Sequence, residues 1–327
     1  MEAMRRNPEE IARMIREAST IAICSHVNPD GDTLGAAAAM KIALNKLGKE
    51  VSLFCEHKVP DQLSFLPGIS SMQQPGNDDG PFDLMLSVDV SDEKRLGTCA
   101  ELKKKCRHTA QIDHHPTNPM FMEVNSVDGK CPATCLLIRE QIAALGVEPD
   151  RDTAICLYTG ISTDTGNFAY HSTNEACFSL MSELMGLDLP LAELNRILFR
   201  DRAKPQVLLI SRALDSLRYY ENDSIAVMKL TREDFLDCGA RNEHADTLVN
   251  FGLDTIGTSM AMLAREDPDT PGIIKISLRA KEPLVISDIA QSFGGGGHPQ
   301  AAGISMYGNL DEKISEVLEA MIYKLNG

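Results

Sequence analysis

Short apolar runs alternate with longer amphipathic stretches along the first half of the chain. Each apolar run has the length of a buried strand. The runs span residues 21–24, 51–55, 82–90 and 109–112. Two stretches with helical periodicity, 36–47 and 133–145, follow the first and the fourth run and end at Gly48 and Gly146, and glycine commonly terminates helices. Strands that alternate with helices predict an α/β domain built on a parallel sheet.

The second half of the chain has a different pattern. Residues 191–217 form a long basic stretch with helical periodicity, in which Pro205 marks a break or a helix start. The strand-like runs beyond it are 225–230, 258–265 and 272–279, and the helical stretches are 243–251, 287–293 and 311–325. This mixture predicts a smaller α+β domain. We therefore expect a first domain at 1–190, a helical linker at 191–220 and a second domain at 221–327.

Length and composition agree with two soluble domains. With 327 residues, 43% of them hydrophobic and 24% charged, the chain is longer than a single core comfortably accommodates. No uncharged apolar run reaches the roughly 18 residues of a membrane span. Residues 1–18 have a charged helical pattern without the apolar centre of a signal peptide. The sequence therefore predicts a cytoplasmic protein with no membrane partner.

Cysteine usage and net charge exclude several classes of protein. The chain has nine cysteines, an odd number without a C-x-x-C pair, which favours reduced thiols over disulfides or a zinc ribbon. A formal net charge of −15 argues against a protein that coats long nucleic acid, because that mode needs a basic surface. A short polyanion bound at a local cationic site remains compatible with this charge.

Acidic and imidazole side chains follow the apolar runs. The segment 25–35 comes directly after the first run, in a turn that Pro29 and Gly31 permit. The apolar run 154–162 is interpreted as one more strand. Because the carboxyl ends of parallel strands meet at one edge of a sheet, we expect the polar residues there to converge. These residues are His26, Asp30, Asp32, Asp89, Asp113, His114, His115 and Asp164.

Four carboxylates and two imidazoles from this set require a compensating charge if they lie close together. Taken singly, Asp89 could equally be a helix cap. The adjacent histidines could equally be loop residues that hydrogen-bond within their loop and have no further role. Together the groups predict two divalent cations, with Asp89, on a central strand, as the natural bridge between them. Oxygen and imidazole ligands without thiolate favour Mn²⁺ over Mg²⁺ or Ca²⁺, and favour Fe²⁺, Co²⁺ and Zn²⁺ less.

The order and spacing of these residues resemble a known family. His26-x-x-x-Asp30-x-Asp32, Asp89, Asp113-His114-His115 and Asp164 look like the four motifs of the DHH phosphoesterases. The tail from Phe293 to Gly303 resembles the signature of the DHH-associated substrate-binding domain. The length of the chain is most similar to that of the proteins in the branch that contains nanoRNases and pAp phosphatases. The resemblance implies that 1–190 is the catalytic metal-binding domain and 221–327 the substrate domain.

The resemblance also implies a role for each residue of the first domain. Asp113 would orient an imidazole, and His115 would face the scissile phosphate as a hydrogen-bond donor or general acid. A water activated by the metals would be the nucleophile. One metal would be bound by His26 and Asp30, the other by Asp32, His114 and Asp164, and Asp89 would bridge them.

Candidate substrate-binding residues lie in the second domain. The glycine run 294–297 lacks the G-x-G-x-x-G spacing of a dinucleotide fingerprint, so a flexible loop or an amide nest for an anion are the alternatives. Arg279 is the candidate for gripping a terminal phosphate, or else a surface charge. The resemblance places Arg279 and the glycine run opposite the metal site. A substrate that contacts all of them would be a short molecule. The predicted substrate-binding residues are Arg279, Gly295, Gly296, Gly297 and His298, and the candidates for base stacking are Phe168, Tyr170 and His171.

These observations predict a Mn²⁺-dependent phosphohydrolase that acts on short nucleotides. Its substrates would be RNA oligonucleotides of a few residues, degraded to mononucleotides as by an exonuclease, or pAp, or both. A cyclic dinucleotide such as cyclic di-AMP, or pApA, is the alternative substrate within the same chemistry. A nucleotide-binding regulator without turnover is the alternative of another class. A homodimer is compatible with the sequence.

Overall fold

The computed structural model describes residues 4–326, apart from the side chains of Met4 and His298. The chain forms two compact units, and the boundary between them falls between Asp201 and Arg202. The predicted linker 191–220 is thereby divided between the two units. Across residues 4–326, none of the helices combines the length and the apolar character needed to cross a membrane.

The first unit alternates strands with helices. Its strands are β1 (Met4–Arg5), β2 (Thr20–Cys24), β3 (Glu50–Phe54), β4 (Met72–Gln73), β5 (Phe82–Val88), β6 (Cys106–Asp113) and β7 (Val124–Asp128). Its helices are α1 (Pro8–Glu17), α2 (Gly31–Lys46), α3 (Thr134–Ala144), α4 (Arg151–Asp164), α5 (Glu175–Met185) and α6 (Leu191–Phe199). Turns of 3₁₀ helix cover Asp61–Leu63, Ile69–Ser71 and Glu93–Lys105.

The strands of the first unit form one sheet in the order β1-β7-β6-β5-β2-β3-β4. All neighbours are parallel except the β1–β7 pair at the edge. Both faces of the sheet are covered, because alternate residues of β2 enter different cores. Ile21 and Ile23 pack with the helices α1 to α4, whereas Ala22 and Cys24 pack under the 3₁₀ segment after β5. This doubly covered parallel sheet confirms the predicted fold class.

One predicted strand of the first unit is wrong. Residues 154–162 lie within the helix α4. Every residue from 153 to 162 except Ile155 is buried, so the buried positions cover the full circumference of the helix and show no helical periodicity. A buried helix and a buried strand cannot be told apart from a short apolar run alone.

The helices α2 and α4 pack closely because glycines separate their backbones. A Cβ at Gly35 would overlap the carbonyl oxygen of Cys156, and a Cβ at Gly31 would lie 2.5 Å from the Thr163 Oγ1. At Gly160 of α4, a Cβ would overlap the Cys135 Sγ. Small residues at these positions bring α4 against the start of α2.

The second unit mixes strands and helices in another arrangement. Its strands are β8 (Arg218–Tyr220), β9 (Ile225–Leu230), β10 (Met260–Glu266), β11 (Ile273–Ala280), β12 (Gly296–His298) and β13 (Ala301–Tyr307). Its helices are α7 (Lys204–Asp215), α8 (Arg232–Cys238), α9 (Val249–Leu253), α10 (Ser287–Ser292) and α11 (Leu310–Asn326), with a 3₁₀ turn at Asn242–Ala245. Pro205 lies in the first turn of α7, where its fixed φ suits a helix start.

The sheet of the second unit has the order β12-β13-β11-β10-β9-β8, and only the β9–β10 pair is parallel. Met260 and Met262 face the core that contains α11, whereas Ala261 and Leu263 face the core that contains α7 to α9. A mixed sheet with helices on both faces agrees with the predicted α+β domain. The predicted helix 243–251 is instead a 3₁₀ turn followed by the short helix α9.

Candidate metal centre

The predicted ligands of the first unit converge at one edge of its sheet. His26 is the second residue after β2, and Asp89 follows β5 directly. His114 follows β6, whose last residue is Asp113. Asp164 comes from the end of the helix α4 rather than from a strand. Strand ends, the start of α2 with Asp30 and Asp32, and the end of α4 therefore build the cluster together.

His26, Asp30 and Asp89 form the first group of candidate ligands, with one donor atom of each within 4.8 Å of the others. The His26 Nε2 lies 3.5 Å from the Asp30 Oδ2 and 3.5 Å from the Asp89 Oδ2. Asp30 is the N-cap of α2, and its Oδ1 accepts hydrogen bonds from the amides of Asp32 and Thr33. The cap holds this carboxylate with its second oxygen toward His26.

Asp32, His114 and Asp164 form the second group, again with donor atoms within 4.8 Å of one another. The His114 Nε2 lies 3.2 Å from the Asp164 Oδ2 and 4.0 Å from the Asp32 Oδ2. The Nδ1 of the same ring lies 3.1 Å from the carbonyl oxygen of Cys131. A proton on Nδ1, donated to that carbonyl, leaves the Nε2 lone pair directed into the group.

Asp89 lies between the two groups and presents one oxygen to each. Its Oδ2 is 3.5 Å from the His26 Nε2, and its Oδ1 is 3.5 Å from the His114 Nε2. The Thr134 hydroxyl donates a 2.8 Å hydrogen bond to Oδ1. The side chain is 3% exposed, and the backbone of Asp89 has a φ of 61°. Aspartate in this left-handed region is uncommon, and such conformations concentrate at functional sites.

Asp32 lies in the first turn of α2 and is completely buried against the start of the helix α3. Its Oδ2 accepts the amide of Thr134 at 2.5 Å, and its Oδ1 accepts the amide of Cys135 at 3.0 Å. A helix N-terminus stabilises a negative charge through these amides and the helix dipole. A Cβ at Gly160 would overlap the Asp32 Oδ1, so this glycine gives the carboxylate its space.

Asp113 orients the second histidine of the adjacent pair. Its Oδ1 lies 2.7 Å from the His115 Nδ1, and its Oδ2 accepts a 2.6 Å hydrogen bond from the Asn118 side chain. Asp113 is fully buried, whereas the His115 ring is 26% exposed. The His115 Nε2 has no hydrogen-bond partner among the described residues. This ring nitrogen is therefore able to act on a bound molecule.

The electrostatics of the cluster favour positive charge. Burial alone would lower the pKa of His26, but Asp30 and Asp89 outweigh it and raise that pKa to about 10. Burial raises the pKa of Asp32 well above its usual range, and the charges of Asp89 and Asp164 raise it further. A cluster that binds protons this strongly is one that divalent cations fit, because they neutralise the same carboxylates.

The predicted substrate-binding residues lie in the second unit. Arg279 is half-buried on β11, and its Nη1 donates a 2.9 Å hydrogen bond to the carbonyl of Leu278. The amide of Gly295 donates to the carbonyl of Ala290, so it is not available to an anion. Gly296 and Gly297 pair with β13 in the short strand β12. The side chain of His298 lies outside the described part of the chain.

Close packing explains part of the glycine run. A Cβ at Gly295 would overlap the carbonyl oxygen of Gly303, and one at Gly297 would overlap that of Ala301. Gly297 also has a φ of 146°, which a residue with a side chain rarely adopts. Gly295 and Gly297 are therefore tightly packed, whereas a Cβ at Gly294 or Gly296 would meet no atom within 4 Å. The end of the run lies in the strand Gly296–His298 rather than in the flexible loop that the sequence allowed.

Three residues of the site were not predicted from the sequence. Thr134 bonds Asp89, Asn118 bonds Asp113, and the Arg95 Nη2 lies 2.8 Å from the His26 Nδ1. Thr134 and Arg95 are far along the chain from the residues that they contact. Only Asn118 could have been suspected from its position, because it is five residues from Asp113 and close to the histidine pair.

Family models match both units of the chain. The model for the N-terminal domain of the DHH family matches residues 20–161, and the model for the DHHA1 domain matches residues 222–327. The first match contains every candidate ligand except Asp164, and the second contains Arg279 and the glycine run. Apart from Asp164, the candidate metal ligands and the predicted substrate-binding residues therefore lie in the ranges of two different family models.

Curated relatives and a solved structure cover nearly the whole chain. The "bifunctional oligoribonuclease and PAP phosphatase NrnA" of Thermus thermophilus is 31% identical over 92% of this chain and 89% of its own length. The protein of the same name from Bacillus subtilis is 27% identical over 91% of this chain and 93% of its own. A crystal structure described as an exopolyphosphatase-related protein from Bacteroides fragilis has a TM-score of 0.90 at 25% identity, and the match covers 97% of this chain and 96% of that one. The chain belongs to the DHH phosphoesterase family, with an N-terminal DHH domain and a DHHA1 domain.

Proposed function

We propose that the chain is a Mn²⁺-dependent phosphohydrolase that degrades short RNA oligonucleotides to mononucleotides, removes phosphate from pAp, or does both. One observation carries the proposal, namely the carboxylate of Asp89 with one oxygen toward each of two ligand groups. Two divalent cations that share a carboxylate are typical of phosphoryl-transfer sites. The curated relatives from Thermus and Bacillus carry the names of these two activities.

The donor set fits manganese. His26, Asp30 and Asp89 would hold one cation, and Asp32, His114 and Asp164 the other. Both groups combine carboxylate oxygen with imidazole nitrogen and contain no thiolate, a combination that suits Mn²⁺. Two dications balance the charge of the four carboxylates. When bound, they would lower the pKa of a water molecule and neutralise the charge of the phosphate.

The residues beside the cluster would act on the phosphate. Burial would lower the pKa of His115, but the Asp113 carboxylate, which accepts from Nδ1–H, raises it overall. The imidazolium form carries a second proton on Nε2, and the bond to Asp113 holds that proton in a defined direction. We assign His115 to donate this hydrogen bond to a phosphate oxygen or to the leaving group. Asn118 restrains the other oxygen of Asp113, which keeps the ring from turning. Positioned proton donors of this kind contribute about 10²–10⁴-fold in rate.

The second unit would bind the rest of the substrate. Arg279 would pair with the terminal phosphate through its guanidinium fork. We assign binding of the same phosphate also to Gly296, Gly297 and His298. Gly295 would instead allow the close packing of this segment against Gly303. A residue that binds a terminal phosphate would select the end of a chain. Arg279→Lys tests this assignment, because lysine keeps the charge and loses the bidentate geometry.

The experiment is a substrate panel with the purified full chain and Mn²⁺. The panel contains di- to pentaribonucleotides, a long RNA, pAp, cyclic di-AMP, pApA and pyrophosphate. The proposal predicts mononucleotides from the short RNAs, or phosphate from pAp, with little cleavage of the long RNA. Preferential opening of cyclic di-AMP would replace the proposed substrate with a cyclic dinucleotide.

His115→Ala is the control variant for the panel. We expect turnover to fall by roughly 10²–10⁴-fold, since the proton donor is lost, while Mn²⁺ binding stays unchanged. An inactive wild-type protein that still binds nucleotides would contradict the proposal and favour a regulator without turnover.

A further inference from the structure

A large cavity lies within the first unit, beside the end of α4 that carries Asp164. It has a volume of about 1000 Å³ and is bounded by α5, α6 and the segment that follows Asp164. Asn167 and Phe168 line it and are only three and four residues from the candidate metal ligand Asp164. This volume is at the upper end of the range typical of small-molecule sites.

Two phenylalanines form an aromatic wall of the cavity. The ring centroids of Phe168 and Phe178 are 5.6 Å apart, and the rings are tilted by 32°. Phe178 is 58% exposed although it lies on the helix α5, whose other face is packed in the core. An exposed ring beside a half-buried one gives a surface on which a further aromatic group can stack.

The backbone places Phe168 in an unusual conformation. Gly166, Asn167 and Phe168 have consecutive φ values of 56°, 56° and 66°. The amide of Asn167 donates to the carbonyl of Ser162 at 2.7 Å, and the amide of Phe168 donates to the Thr165 hydroxyl at 3.1 Å. A bulky residue in this region is an outlier that the surroundings must hold in place, and such outliers cluster at binding sites.

The charge of the lining differs from that of the whole chain. The chain has a formal net charge of −15, whereas the described residues that line the cavity include no carboxylate and two arginines, Arg200 and Arg196, of which Arg196 is ion-paired with Asp201 outside the lining. The Asn195 side chain donates to the Asn167 Oδ1 at 3.1 Å, so hydrogen-bonding groups also border the aromatic wall. Aromatic, amide and basic side chains together suit a nucleoside with an attached phosphate.

We infer that this cavity is the base-binding subsite for the nucleotide whose phosphate is cleaved, with the base stacked on Phe168 and Phe178. The inference rests on the proposed function, which it deepens. Stacking tolerates any base, since every base has a π face, so the subsite would bind nucleotides without strong sequence preference. It would distinguish nucleotides from phosphates that lack a base.

The test compares Phe178→Ala with the wild type on matched substrates. Phe178 is exposed, so its truncation leaves the core intact. The substrates are 5′-phosphorylated diadenylate and two versions of it in which one adenine or the other is replaced by hydrogen. We expect Phe178→Ala to raise KM for diadenylate by about 5- to 150-fold, the range for one stacked base, with kcat little changed.

The baseless substrates make the test specific. Removing the stacked adenine should raise KM for the wild type at least as much, since the contacts with both Phe168 and Phe178 are lost, and Phe178→Ala should then add nothing further. Tyr323→Ala, which removes an exposed ring of α11 in the second unit, should keep the wild-type KM. An unchanged KM for diadenylate in Phe178→Ala would overturn the inference.

Binding of AMP provides a readout that does not need turnover. Calorimetry with the full chain should give a dissociation constant that rises by the same factor in Phe178→Ala. A protein that hydrolyses no substrate but loses AMP affinity in this variant would refute the proposed function and keep the cavity as a nucleotide site. Equal AMP affinity in both proteins, or a wild-type dimer that Phe178→Ala dissociates, would overturn the subsite.

Discussion

Gly160→Ala tests whether the packing of α4 controls the metal centre. In a solvated helix interior this substitution stabilises a protein by about 0.5–1 kcal/mol. At Gly160 the new Cβ would overlap the Cys135 Sγ and the Asp32 Oδ1, and the Cys135 Cβ would lie 3.0 Å away. Overpacking of this kind costs about 1–3 kcal/mol. We therefore expect a net loss of about 1–2 kcal/mol in the free energy of unfolding.

The same substitution should weaken Mn²⁺ binding. Asp32 is held between the amides of α3 and the backbone of α4, so a methyl group on α4 displaces its carboxylate. Changes in the residues that support a metal ligand typically cost about 10–100-fold in affinity. Urea unfolding of the metal-free protein measures the stability, and calorimetric titration measures Mn²⁺ affinity.

Cys135→Ala separates the two effects of Gly160→Ala. In the double variant the Sγ is gone, so part of the lost stability should return. The overlap with Asp32 remains, and the weakened Mn²⁺ binding should remain with it. If Gly160→Ala instead stabilised the protein and bound Mn²⁺ as the wild type does, the proposed link between helix packing and the metal centre would be wrong.

Three further predictions concern a helix cap, a buried hydrogen bond and the substrate. Asp150→Ala removes the N-cap of α4 and should cost about 0.5–2 kcal/mol at pH 7. Burial opposes this carboxylate, but Lys46 and the cap lower its pKa to about 2. The difference in urea unfolding should therefore shrink as pH falls from about 4, and a constant difference would count against the cap. Asn118→Ala should cost about 1–3 kcal/mol and lower kcat, because the buried Asp113 loses a hydrogen bond; unchanged kinetics would exclude this role. Arg279→Lys should raise KM for substrates with a terminal phosphate and leave their unphosphorylated analogues unaffected, as steady-state kinetics would measure.

Local sequence patterns predicted much of the fold and most of the candidate ligands. Strand ends such as Cys24 and Val88 are marked by a change from apolar to polar residues. The topology of a parallel sheet then brings these ends together without further information. This is why His26 and Asp89 could be chosen as neighbours although they are 63 residues apart.

What the sequence could not provide depends on packing between distant segments. The helix α4 looked like a strand because its burial removes the amphipathic pattern. Thr134 gave no signal because its contact with Asp89 exists only once α3 has docked at the sheet edge. The cavity beside Phe168 could not be predicted from the sequence either, since it depends on how α5 and α6 pack.

The position of bound manganese would test the proposed two-metal centre around Asp89 most directly. Crystals of the full chain with Mn²⁺, measured at the manganese absorption edge, would locate the ions independently of any assay. We expect two anomalous peaks, one within reach of each Asp89 oxygen, with His26 beside one and His114 beside the other. Asp89→Asn should weaken both peaks. A single peak, or peaks away from Asp89, would contradict the shared-carboxylate centre on which the proposed hydrolysis depends.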